Sequence, residues 1–338
     1  MSATPNAPVS ITEDEAALYD RQIRLWGLEA QQRMRNAAIL VIGLKGVATE
    51  TIKNIVLAGI GRLVVLDPEN LTGEDLGAGF FFRDDEVGQK RVDAAKPRIQ
   101  SLNPLVQVDV ISDQWELKDD EKLESLVRQV DLVILTDASQ STISRVNDIS
   151  RRNSKPFYCG GTYGLTGYIF VDLLRHEYVA TEKPKPGSTE PPKTIRTSIE
   201  YNSFGDALAY NWSSLKRKVQ RDAQPALIFT ICALWEYEKL YGRLPDSEEA
   251  AAELESLANA RLKTANVMST VLTAVPSDRI ASAAVTAAHE FTPVCAIVGG
   301  LLGQDVLKSL GRRDAPMDNF FVFDGVVGSG SVLTMRAK

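Results

Sequence analysis

Cysteine is scarce in this chain. Its 338 residues carry three, Cys159, Cys232 and Cys295, and no two form a CxxC pair. That spacing excludes a disulfide framework and a structural zinc site, and points to a reducing compartment. Histidine is scarcer still: His176 and His289 are the two present, and neither sits in an arrangement of cysteines or acids that would build a nucleophile–base pair. Positive charge is in deficit, with 38 Lys and Arg against 44 Asp and Glu, a formal net charge of −6. Nucleic acid and anionic membranes are therefore excluded as main partners. No apolar run reaches about 18 residues, and the N-terminus shows no signal-peptide hydrophobic region, so cytosol or nucleus is expected. What is present, 44% hydrophobic and 24% charged residues, is the composition of an ordinary globular protein. This length fits one large domain with an insertion, or two domains.

Residues 1–12 are polar and proline-containing and read as a disordered N-terminus. A helix is expected from about Thr12 through Arg21 and Arg24 toward Arg35. The continuous apolar run Ala37 to Ile42 predicts a strand buried on both faces. A Gly43-Leu44-Lys45-Gly46 turn, a helix from Thr49 to Ala58 and a strand Arg62 to Asp67 complete a βαβ unit. Further helices and strands alternate to about Leu173. Residues 13–175 thus read as a doubly wound Rossmann-like α/β domain. Residues 176–288 read as an inserted, largely helical segment with a mobile loop at 183–193, rich in Pro, Ser, Thr and Glu. Residues 289–338 return to the first domain. There the nearly uncharged helix Pro293 to Leu307 is expected to be buried in the fold or to lie against another subunit, so a charge placed at Gly299 or Gly300 should be costly. A closing strand spans Asn319 to Gly325.

Gly43, Gly46 and Asp67 stand where a nucleotide-binding βαβ unit places its phosphate-approaching glycines and its ribose-binding acid. The match is partial, because Lys45 and Ala48 occupy turn positions that are glycine in a complete fingerprint. The stretch Tyr19-Asp20-Arg21-Gln22-Ile23-Arg24-Leu25-Trp26-Gly27 puts two arginines on one helical face beside apolar residues. No cysteine has a setting expected of a reactive thiol, since Cys159, Cys232 and Cys295 all lie in apolar stretches.

The Tyr19–Gly27 motif, together with Asp67-Pro68-Glu69, Gly79-Phe80-Phe81-Phe82-Arg83, Val87-Gly88 and Ser101-Leu102-Asn103-Pro104, resembles the activating enzymes of ubiquitin-like proteins and their bacterial sulfur-carrier relatives. The resemblance implies a ThiF/MoeB-like adenylation fold. Active members carry an asparagine, an arginine and a glutamine that grip ATP, where this chain has Asp75, Ala78 and Gly79. They place a lysine where it reads Gln89-Lys90-Arg91, and an asparagine after the metal-binding acid, absent after Asp137. The resemblance therefore implies a catalytically degenerate site at Gly43, Gly46 and Asp67, with no cofactor or metal held by this chain.

Over nearly its whole length the chain is similar to the small, cysteine-less subunits of heterodimeric SUMO-activating enzymes. That family implies a large catalytic partner subunit holding ATP and Mg, SUMO as the modifier, and a nuclear, and also cytoplasmic, location. The isolated chain should be inactive. Arg21 would act in trans on the partner's ATP, and Arg24 would serve the same site or the interface. Two other readings within the superfamily are the small subunit of a NEDD8-type activating enzyme and a self-sufficient adenylyltransferase of the sulfur-carrier type. A nicotinamide-dependent dehydrogenase shares the βαβ unit, but it leaves Arg21 without a role and lacks a catalytic His or Lys–Tyr pair.

Overall fold

The computed structural model describes residues 10–181 and 194–336. The expected loop at 183–193 and most of the N-terminal tail lie outside the described residues. An eight-stranded mixed sheet runs through the molecule in the order β10-β9-β6-β5-β4-β1-β2-β3. Its strands are β1 (Ala38–Ile42), β2 (Arg62–Leu66), β3 (Gln107–Ile111), β4 (Leu132–Thr136), β5 (Phe157–Tyr163), β6 (Thr166–Asp172), β9 (Phe320–Asp324) and β10 (Ser329–Leu333). The first five pair parallel, in the Rossmann-like pattern that the alternation predicts. From β5 onward the sheet turns antiparallel through β6, β9 and β10. The expected closing strand is β9, which joins the sheet beside β6. Outside the sheet, β7 (Arg175–Thr181) and β8 (Thr194–Glu200) form a two-stranded antiparallel hairpin. From Phe204 to Thr286 the described elements are helical.

The expected single helix over 12–35 is broken into three: α1 (Glu13–Leu18), α2 (Asp20–Trp26) and α3 (Leu28–Arg35). Tertiary contacts override the local propensity. Tyr19 leaves the helical path to bury its ring, 3% exposed, against Gly59. Its hydroxyl there accepts a hydrogen bond from Asn103 at 2.8 Å. Gly27 adopts φ +85°, a conformation that costs glycine little and other residues more. Residues 10–12 belong to the fold: Thr12 caps α1 in a reciprocal box with Glu15, and the Ile11 amide donates to Gln32.

Two apolar clusters fill the two faces of the sheet. On one face lie the α4 helix (Gly46–Leu57), the α5 helix (Arg91–Leu102) and the long helix Thr292–Gly311. That last helix is long and apolar enough by length and composition to cross a membrane, although its apolar residues form no unbroken run. Here it packs on α4 and β5, and its buried Asp305 is satisfied by the Tyr158 hydroxyl and the Met317 amide. Gly299 sets the spacing, because a Cβ there would lie 2.6 Å from Glu50 Cβ and 2.7 Å from the Val47 carbonyl oxygen. Gly300 faces open space, with nothing within 4 Å of its would-be Cβ. Within this chain the packing expected at both glycines is found at Gly299 and not at Gly300: one residue is 100° of helical rotation, enough to move it off the packed stripe.

Candidate functional site

The C-terminal ends of β1 and β2 bring the turn glycines and Asp67 together. Gly43 holds φ +86° and closes on the Thr136 backbone, where a Cβ would meet the carbonyl oxygen at 2.7 Å. The Asp67 carboxylate is 3% exposed and already committed. Its Oδ2 accepts from the Leu44 amide at 2.7 Å, and its Oδ1 accepts from the Glu69 amide at 2.7 Å. Arg91 of α5 lies 3.5 Å from Asp67 and forms a two-pronged pair with Asp75, at 3.1 and 3.0 Å. Burial raises the Asp67 pKa, against the backbone bonds and Arg91 that lower it. Asp75, where the resemblance would lead to an ATP-gripping residue, instead pairs with a cation of its own chain. The motif around Arg91 gives no sign of this pairing, because its partners lie 16 and 24 residues away.

Gly46 starts α4, the helix whose N-terminal amides and dipole would favour a phosphate. Here the Gly46 amide donates to Glu290 Oε1 at 2.9 Å. A carboxylate from the far end of the chain thus occupies the seat, and no sequence motif announced it. Lys45, Asp137 and Glu290 line one small hollow of ≈ 60 Å³. Pockets that enclose a ligand of nucleotide size run to about 300–1,000 Å³. A second hollow, ≈ 330 Å³, lies beyond Asp67 and mixes Lys90 with Glu69 and Asp113. Asp137 takes φ +49°, accepts from the Thr162 amide at 3.2 Å and leaves its Oδ2 without a partner. Burial and then Glu290 push its pKa up to about 7. Glu290 is raised as well, first by burial, with Lys45 opposing. Among the described residues no cluster of His, Cys, Asp and Glu has the form of a metal site.

All three cysteines are buried. Burial raises each thiol: Cys232 to about 11, Cys295 to about 12, and Cys159 beyond that. A nucleophile needs thiolate and access, and these side chains have neither. His176 is buried with Nε2 unpartnered, and its pKa is lowered to about 4 by burial and Arg312.

The Tyr19–Gly27 motif is fastened to the opposite end of α4. Gln22 donates to the Leu57 carbonyl at 3.3 Å. Trp26 Nε1 donates to Gln31, whose own amide donates to the Ala58 carbonyl at 2.8 Å. Arg24 is engaged, pairing with Asp20 one turn back at 2.9 Å on the surface. Arg21 is exposed, and among the described residues its guanidinium has no hydrogen bond or ion pair. Leu25, 80% exposed, follows it one turn on in the same helix, and Leu28, 55% exposed, begins the next. Twelve residues of α4 separate this motif from the seat at Gly46, about 18 Å at 1.5 Å per residue. Arg21 and the glycine turn are therefore not parts of one site within this chain.

Residues 19–338 match the ThiF family. SUMO-activating enzyme subunit 1 of Homo sapiens is 37% identical over 344 residues, covering 97% of each chain. The Rattus norvegicus protein of that name is 37% identical over 95% of each chain. The Dictyostelium discoideum one is 33% identical over 98% of this chain and 97% of its own. Among solved structures, PaaA superposes with a TM-score of 0.61 at 17% identity, covering 96% of this chain and 84% of its own. E. coli MccB gives 0.56 at 14% identity, covering 94% and 71%; both likenesses show the fold. The chain belongs to the ThiF family, as a relative of the SUMO-activating enzyme subunit 1 proteins.

Proposed function

We propose that this chain is the non-catalytic subunit of a heterodimeric SUMO-activating enzyme, in which a large partner subunit holds ATP and Mg and carries the reactive cysteine. The relatives' shared name supports the pathway and the existence of a partner. The division of labour rests on this chain's own geometry. Its phosphate seat carries Glu290, its ribose acid is bound to its own backbone, and its three thiols are buried. The observation that carries the reading is Arg21. It is exposed, unpaired among the described residues and set at the wrong end of α4 for its own seat, so a partner's nucleotide is the anion it can serve. A guanidinium fork suits phosphate oxygens and stabilises charge that develops as the acyl adenylate forms.

The test is ATP–pyrophosphate exchange by the chain reconstituted with a SUMO-activating large subunit and SUMO. Exchange should require both subunits. Exchange by this chain alone would overturn the reading, and so would a failure of the two subunits to co-purify.

A further inference from the structure

Five arginines, Arg33, Arg175, Arg196, Arg312 and Arg313, line one cavity of ≈ 750 Å³, with two glutamates, Glu29 and Glu177, against them. This runs against the balance of the chain as a whole, whose acids outnumber its bases by 44 to 38. The cavity lies between the α2–α3 junction, the hairpin β7–β8 and the turn that follows the long helix.

Its floor is fixed. Arg33 donates to the Gly311 carbonyl, and Arg313 donates to the Trp26 carbonyl at 2.6 Å. The hairpin docks on the turn through the Val179 amide to the Arg312 carbonyl and the Asp314 amide to the Val179 carbonyl. Register places Arg175, Glu177 and Val179 on one face of the hairpin, with Arg196 opposite Val179 and Ser198 opposite Glu177. Arg175, Arg196 and Arg312 are exposed and, among the described residues, their side chains form no hydrogen bond or ion pair. Arg33 Nε is buried without a partner. Burial lowers the pKa of that group, and Arg312 and Arg313 lower it further, against Glu29. Folding has gathered like charges here and left them under-neutralised.

We propose that this cavity is a docking site for an extended, acidic peptide segment of a protein partner. Charge complementarity supplies the acid: carboxylates would neutralise the free guanidinia through charge-assisted bonds. Two further features favour a peptide over a compact polyphosphate. Trp26, Leu28 and Val179 line the same cavity, and apolar wall rewards a ligand with apolar side chains between its acids. The outer edge of β8 pairs with no strand among the described residues, so an extended chain can continue the hairpin while its side chains reach Arg196. Arg21 is not among the residues that line the cavity, and the proposal does not depend on its role.

The full-length chain is titrated by fluorescence anisotropy against a fluorescein-labelled peptide of alternating Glu and Leu. Saturable binding that weakens with added salt is expected. Gln in place of Glu should abolish it, and Ser in place of Leu should weaken it. The double variant Arg175→Ser, Arg196→Ser removes two exposed side chains with no partners of their own. It should keep the wild-type melting temperature and bind about tenfold more weakly or worse. Absence of saturation, or equal binding by the double variant, overturns the proposal. So does a Glu/Ser peptide or inorganic tripolyphosphate that binds as tightly as the Glu/Leu peptide, because the cavity is then a small-polyanion site.

Discussion

The Gly46 backbone amide donates to the Glu290 carboxylate at 2.9 Å, across 244 residues of chain. A helix N-terminus favours negative charge whether it comes from a ligand or from the protein. Glu290 supplies it from within, and the Lys45 side chain lines the same hollow.

Glu290→Ala should therefore both destabilise the fold and reopen the seat. Losing a charge-assisted bond to a helix terminus costs about 1–2 kcal/mol. Thermal melts with and without inorganic phosphate test the second half: phosphate should raise the melting temperature of the variant and leave wild type unchanged. Equal phosphate responses would show that Glu290 does not block the seat.

Asp137 predicts a pH dependence. Its unfolded pKa is near the ordinary carboxylate value and its folded pKa is about 7, so between those pH values the native state holds more protons than the unfolded state. Stability contributed by this group must then fall as pH rises through that window. Asp137→Asn cannot ionise, and its side-chain oxygen can still accept from the Thr162 amide. The variant should gain stability over wild type from pH 5 to about pH 7 and level off above it, measured by urea denaturation. A difference that stays constant across this range would mean that Asp137 ionises normally.

The parallel half of the fold was legible because its signals are local. The apolar run before Gly43 is β1, and Asp67 lies where the βαβ pattern puts it, immediately after β2. The features that turn the site inward come from distant pairings. Glu290 comes just before the long helix, whose packing on α4, β5 and β6 brings it to Gly46, and nothing near Gly46 encodes that contact. The break at Tyr19 has the same origin, since its partner Asn103 is 84 residues away. Arg21 was legible as a motif. That it has no partner among the described residues while Arg24 pairs with Asp20 is set by side-chain placement, which the motif alone does not fix.

Two adjacent glycines of the long helix should respond in opposite directions. Gly299→Ala drives a methyl into Glu50 and the Val47 carbonyl, an overpacking cost of about 1–3 kcal/mol. Gly300→Ala meets nothing and removes a flexible residue from a helix interior, a gain of about 0.5–1 kcal/mol. Calorimetric melting of the two variants checks the sign. Similar destabilisation by both would mean that the helix is packed all round.

Arg21 and Arg24 separate a catalytic role from a surface one within a single helix. Arg24 forms an exposed i,i+4 pair with Asp20, a type worth about 0.3–0.5 kcal/mol. Arg24→Ala should leave the saturated rate of ATP–pyrophosphate exchange near wild type, and show itself in the amount of large subunit needed to reach that rate. Arg21 has no partner of its own among the described residues, so Arg21→Ala should leave the melting temperature unchanged. It should instead slow exchange by about 10²–10³, the usual effect of losing one preorganised donor to a developing charge. Arg21→Lys should recover only part of that loss, because an ammonium keeps the charge and lacks the planar fork. Measured at saturating large subunit, ATP and SUMO, a wild-type rate for Arg21→Ala would remove the arginine from the nucleotide site. Full rescue by lysine would reduce its part to that of a point charge.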